Sequence, residues 1–170
     1  GRNISDEIVD KFMLGWAPNK YDALYKELNK EFNDEVLEKA GLIIKGNKGG
    51  WIDRFRNRVI VPIQNEKGEF IAFGARTLEK DQSAKYLNSS DSLIYNKSKV
   101  LFGLYTAEES IKANDSVVIM EGYFDVITAQ SNGVLNAVAA CGTALTSEHV
   151  RLLSRYTKSR RIYLSFDTDS

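Results

Sequence analysis

Four carboxylates stand where they could do chemistry together. Glu121 and Gly122 follow directly on the apolar run Val117-Val118-Ile119-Met120, and Asp125 comes just after them. Asp167 and Asp169 follow the segment Arg161–Phe166 in the same way. A continuous apolar run of this length reads as a strand buried on both faces of a parallel sheet. In such sheets the residues just beyond the strands' carboxyl ends converge on one crevice, where ligands bind. Four carboxylates gathered there repel one another and hold their protons more tightly unless a cation neutralises them. A hard divalent cation with oxygen ligands meets that need, Mg²⁺ first and Mn²⁺ as its substitute. Gly122 allows a tight turn and a close backbone approach. A single acid at a strand end or helix start is more often a cap or a partner for the helix dipole. The combination Glu-Gly-x-x-Asp with Asp-x-Asp is what points to a metal.

A second set is cationic. Arg54, Arg56 and Arg58 alternate through Asp53–Ile63, so a strand there places all three on one face. Phe73-Gly74-Ala75-Arg76, Lys85-Tyr86-Leu87-Asn88-Ser89 and Tyr95-Asn96-Lys97 add further cations beside small or planar residues. Arginines on a rigid strand suit phosphate, and Tyr86 offers a surface for stacking or ribose packing. The competing reading is an edge strand charged to prevent aggregation.

These side chains need elements to position them. Ile4-Ser5-Asp6-Glu7 predicts a capped helix whose apolar face is Ile8, Val9, Phe12 and Met13, ended by Pro18. A second helix follows Asp22, and a third runs from Asn33 to Gly41. The Gly-rich break at 45–50 precedes strands at 59–63 and 69–76 joined by a turn. Thr106 to Glu109 has capping-box spacing for a helix ending near Asn114. From Ser116 the rhythm is βαβαβ: strands at 117–120, 137–140 and 161–166, with helices through 123–131 and 146–155. The expected fold is an α+β basic part, residues 1–114, followed by an α/β unit, residues 115–170.

Composition narrows the class. Twenty-three basic residues balance 23 acidic ones, so a nucleic-acid partner would have to be met by local patches. No apolar run approaches membrane-spanning length, and no signal-peptide pattern opens the chain. A lone Cys141 rules out an internal disulfide framework, and a reducing cytoplasm is the expected location. Cys141 reads as a packing residue. His149, the only histidine, reads as a solvated residue in the first turn of its helix.

Met120-Glu121-Gly122-Tyr123-Phe124-Asp125-Val126, Cys141-Gly142-Thr143-Ala144-Leu145-Thr146 and Phe166-Asp167-Thr168-Asp169 resemble the three signature stretches of a TOPRIM domain. That fold is shared by primases, topoisomerases and certain nucleases. With Ile4 through Pro18, the arginine segment and Lys85–Ser89 in this order, the whole chain resembles the catalytic core of bacterial replicative DNA primases. The resemblance implies an α/β TOPRIM unit of Rossmann-like parallel strands after an α+β basic subdomain. It assigns the catalytic and metal-binding roles to Glu121, Asp125, Asp167 and Asp169. Arg54, Arg56, Arg58, Arg76, Lys85, Tyr86, Asn88 and Lys97 would line the groove for template and nucleotide. Single-stranded DNA, ribonucleoside triphosphates and the RNA primer are the implied ligands, with no membrane. Ser98 and Thr168 stand where the family usually has glycine. The family's zinc-binding domain, the rest of its TOPRIM fold and its helicase-binding domain are not among these 170 residues, which suggests a piece of a longer protein that is inactive alone. The alternatives are a TOPRIM nuclease or topoisomerase, or a non-catalytic single-strand-binding module.

Overall fold

The computed structural model describes residues 4–79 and 84–166. Its first sheet is antiparallel, in the order β1 (Gly15–Ala17), β4 (Arg58–Gln64), β5 (Phe70–Thr77), β6 (Tyr86–Asn88). β2 (Ile43–Lys45) and β3 (Trp51–Asp53) form a separate hairpin across the glycine-rich break. Pro62 is tolerated inside β4 because β1 pairs only with Arg58, Val59 and Ile60, which leaves β4 an open edge at that point.

Local signals set the helices. Ser5 caps α1 (Asp6–Lys11) by accepting from the Ile8 amide at 3.4 Å, and Asn33 caps α3 (Asp34–Lys39) through the Val36 amide at 3.0 Å. α2 (Ala23–Leu28) is capped from a distance. Asp22 forms no side-chain cap. The buried Asp53 carboxylate accepts from the Leu24 and Tyr25 amides at 2.8 and 2.9 Å instead. That pair of bonds ties β3 to the helix and satisfies two donors that the helix cannot satisfy itself.

The second sheet has the order β10 (Arg161–Ser165), β8 (Ser116–Met120), β9 (Ala137–Ala140), β7 (Leu101–Phe102). β8 runs parallel to both β9 and β10, and β7 is antiparallel. Alternation along the strands serves two faces. Val117, Ile119 and Val138 pack with Leu104, Ala107 and Ile111 of α4 (Leu104–Asn114) and with Leu152 and Leu153 of α6 (Ser147–Leu153). Ala137 and Ala139 face Val126 and Ile127 of α5 (Tyr123–Ser131). That second core also takes in Phe12, Val61, Ile63 and Ala72 from the first half. The two sheets thus share one apolar core, which fixes the basic sheet against the parallel one.

Pro18 does not end the first helix: α1 stops at Lys11, Met13 leaves it with φ of +50°, and β1 intervenes before the proline. Two further expectations change. α4 starts at Leu104, after Gly103, two residues ahead of the capping-box position. Thr106 therefore lies inside the first turn, its hydroxyl 3.0 Å from the Gly103 carbonyl and 2.9 Å from Gln130 Oε1. The second change concerns the arginines. Residues 54–57 form a loop between β3 and β4, and only Arg58 is in a strand, so the three do not share a strand face.

Candidate functional site

Glu121 follows the end of β8, and Asp125 lies in the first turn of α5, whose N-cap is the extended Gly122. Both carboxylates line a cleft of about 370 Å³. Its other wall comes from the first sheet: Arg76 of β5, Lys85, and Tyr86 and Asn88 of β6. Register brings these together, since Arg76 pairs with Tyr86 and Gly74 with Asn88. The Arg76 guanidinium lies 5.6 Å from the Tyr86 ring centre and 5.2 Å from that of Phe124, so it is held between β6 of the first sheet and helix α5. Glu121 and Asp125 also line a second hollow of about 400 Å³, with Thr128 and Ser165 at its walls. Acids on one wall and cations with an exposed aromatic on the other can hold a metal-bound polyphosphate and its nucleoside.

Gly142 closes the cleft. It has φ of +70°, and a Cβ there would run into the Asn88 amide nitrogen. Asn88 Nδ2 donates to the Cys141 carbonyl at 3.3 Å, linking the two walls beside the carboxylates. Cys141 is buried, as expected, and burial pushes its thiol up to about 11, which leaves it protonated and inert.

The other expected cations divide by role. Arg58 is buried and donates to the carbonyls of Ala84 and Lys85 at 2.9 and 3.4 Å. Arg54 Nη2 donates to the Asn88 carbonyl at 3.0 Å, and burial lowers its proton affinity. Both arginines thus brace the segment that carries Lys85, Tyr86 and Asn88. Arg56 bonds the Asp53 carbonyl, and its guanidinium stands 5.5 Å from the ring centre of Tyr21, which is 71% exposed. Sequence reasoning missed Tyr21, because nothing local links it to an arginine in another loop. Lys97 sits apart from the cleft lining, in the loop before β7. Asp167 and Asp169 lie outside the described residues.

His149 corrects the sequence reading. It is fully buried. Its Nδ1 accepts from the Thr146 amide at 3.2 Å, and its Nε2 meets the Lys97 carbonyl at 3.0 Å. The capping spacing at Thr146 was visible, but the residue filling the third helical position was read as solvated. Burial lowers its pKa, with the Lys97 and Val100 carbonyls pulling the other way. The folded chain therefore takes up this proton less readily than the unfolded one. The stabilising neutral imidazole is fully present above about pH 6.5 and is lost as the pH falls towards the lower folded value. The thermal midpoint should drop between pH 7 and pH 5, and the drop should shrink in His149→Gln. A wild-type midpoint that is flat over this range would contradict the assignment.

The parallel β8–α5–β9 unit with acids beyond its first strand is the arrangement of a Toprim domain, and residues 115–170 match that domain. Residues 1–108 match the DNA primase catalytic core, N-terminal domain. The chain belongs to the DNA primase catalytic-core family. It is 42% identical over 171 residues to a DNA primase of Synechococcus elongatus and 43% identical over 170 residues to one of Myxococcus xanthus. Each match covers 99% of this chain but only 24% and 28% of those relatives, so the chain spans about a quarter of their length. Among solved structures, the RNA polymerase domain of Mycobacterium tuberculosis primase DnaG matches with a TM-score of 0.91 at 40% identity, over 99% of this chain and 57% of that one. A DnaG primase catalytic domain bound to single-stranded DNA matches at 0.87 and 35% identity, over 98% and 51%. A Toprim domain implies a divalent metal in general, and the paired hard oxygen donors of Glu121 and Asp125 fit one. Among the described residues no cluster of three or more metal-ligating side chains occurs.

Proposed function

We propose that this chain carries the nucleotidyl-transfer site of a DNA primase, which joins ribonucleotides on a single-stranded DNA template in the cytoplasm. The observation that carries the reading is the cleft in which Glu121 and Asp125 face Arg76, Lys85, Tyr86 and Asn88. Residues 1–114 supply the cations and residues 115–170 the acids. Glu121 and Asp125, with Asp167 and Asp169, would hold Mg²⁺, or Mn²⁺ in its place. The ion would supply charge neutralisation on the triphosphate and acidify the attacking 3′-hydroxyl. Arg76 and Lys85 bind phosphate oxygens, Tyr86 packs against the nucleoside, and the rigid shared core keeps both walls at a fixed separation. Placement and electrostatics carry the rate, without a covalent intermediate. Arg54 and Arg58 act by bracing, whereas Arg56 with Tyr21 offers an exposed charge and stacking surface for template. Replication partners such as the helicase would be met elsewhere in a longer protein.

The template assignment is tested by fluorescence anisotropy with the full-length gene product. Arg56→Gln should weaken single-stranded DNA binding for all sequences alike. It should also make the slope of log affinity against log salt shallower by about 0.7 if one phosphate contact is lost. An unchanged slope would take Arg56 off the template. In the same mixture, Mg²⁺ without nucleotides should leave the DNA intact, and strand scission would favour the nuclease reading.

A further inference from the structure

The outer face of the first sheet carries an apolar hollow that the polymerising site does not use. Ile60 and Phe73 alternate with Val61 and Gly74, which face the shared core, so they point the other way. With Trp16 of β1, Leu24 and Leu28 of α2, and Phe55, they line a hollow of about 450 Å³. Trp16 is 51% exposed and Leu24 37%, so the hollow opens to solvent. Its two acids are engaged: Asp53 accepts from the Leu24 and Tyr25 amides, and Glu27 pairs with Lys30 at 2.6 Å. Two cations stand beside it. The Arg56 guanidinium bonds the carbonyl of Asp53 and lies 5.5 Å from the centre of the Tyr21 ring. The Arg54 guanidinium lies 5.9 Å from the centre of the Phe55 ring, and its Nη2 donates to the Asn88 carbonyl at 3.0 Å. Asn88 lines the acidic cleft, so Arg54 reaches from the hollow to the polymerising site. An apolar site with an exposed indole, flanked by guanidinium groups, complements a chain of planar rings joined by phosphates. An apolar peptide segment gains nothing from those flanking cations.

We propose that the hollow takes an unstacked base of the single-stranded DNA template, packed against the Trp16 indole with its phosphate on Arg56. The inference rests on the primase reading and carries the template path from the cleft, past Arg54, to the outer face of the first sheet. No side-chain amide or hydroxyl lines the hollow, so stacking and burial hold the base and every base serves. Its signature is a loss of affinity on removing Trp16 that is the same at every salt concentration, unlike the loss on removing Arg56.

The test uses the full-length gene product and an oligothymidylate carrying iododeoxyuridine, which crosslinks on irradiation to an aromatic ring stacked on it. The adduct should map to Trp16. In fluorescence anisotropy, Trp16→Ala should weaken binding about five- to 100-fold, the range of one base–aromatic stack. The slope of log affinity against log salt should not move, because no phosphate contact is lost. Trp16→Phe keeps a ring and should retain most of the affinity. Leu24→Glu puts a carboxylate on the exposed wall of the hollow, so it should lower both affinity and crosslinking. It also serves if Trp16→Ala fails to fold. Adducts confined to Tyr21 or to the cleft would overturn the inference, as would variants at Trp16 and Leu24 that bind DNA as tightly as wild type. A Trp16→Ala protein that changes its oligomeric state at unchanged DNA affinity would give the hollow to a second copy and overturn it too. A wild-type protein that makes no primers would overturn the primase reading and this inference with it. A missing Trp16 adduct in an active wild type would overturn this inference alone.

Discussion

Replacing Asp125 with asparagine is expected to abolish primer synthesis while leaving the fold intact. Asparagine keeps the size of the side chain and its place in the first turn of α5, so packing is unchanged. What goes is the negative charge that shares a cleft with Glu121. Losing an acid from a first turn costs a helix about 0.3–1 kcal/mol, a shift of a few degrees at most in the thermal midpoint. Losing a carboxylate that holds the metal removes neutralisation of the triphosphate at the moment of transfer. A fall of about 1,000-fold or more in rate is the expected scale. Single-stranded DNA affinity depends on the cations of the other wall and should be nearly unchanged. A variant that keeps its activity but loses many degrees of stability would show Asp125 to be a structural acid.

The second large effect falls on stability. Gly74 sits in β5 opposite Asn88, and a Cβ added there would lie 2.5 Å from Cε2 of Tyr123. Tyr123 has no room to yield. It is buried, its ring meets Phe102 edge-on at 5.1 Å, and it opens α5 two residues after Glu121. Gly74→Ala must therefore push the two sheets apart or force the ring off its rotamer. Overpacking of this kind costs about 3 kcal/mol. In a chain of this size that lowers the thermal midpoint by about 10 °C. Pairing it with Tyr123→Leu should recover part of the loss, because the clash is with the ring. Thermal unfolding of the 170-residue chain reads both variants, and a midpoint unmoved by Gly74→Ala would mean that the sheets are not packed as described.

The parts of this fold that were legible in the sequence are those whose signal is local. The buried runs at 117–120 and 137–140 announce strands because both faces are apolar. Ser5, Asn33 and Thr146 announce helix starts because the capping atom is three residues from its donor. The paired acids Glu121 and Asp125 were legible because a strand end and a helix start are adjacent. Long-range arrangements were not. Asp53 caps a helix some 30 residues away, and nothing near it in sequence says so. The arginine alternation looked like a strand face, yet Asn57 takes a left-handed φ of +53° that a strand does not allow, residues 54–57 form a loop, and the three guanidinium groups meet different partners. β7 is two residues long, too short for any periodicity, and it exists because β9 has an open edge. His149 was misread because its partner, the Lys97 carbonyl, is brought in by that same strand.

The central claim is that acids and cations from two sheets make one metal-dependent polymerising site. The most direct measurement is primer synthesis by the full-length gene product on single-stranded DNA with labelled ribonucleotides, run with Mg²⁺, with a chelator, and with the metal restored. The account predicts short RNA products with Mg²⁺ or Mn²⁺, none under chelation, full recovery on restoring the metal, and none at any metal concentration with Asp125→Asn. RNA synthesis that persists under chelation, or that survives the loss of Asp125 charge, would contradict it.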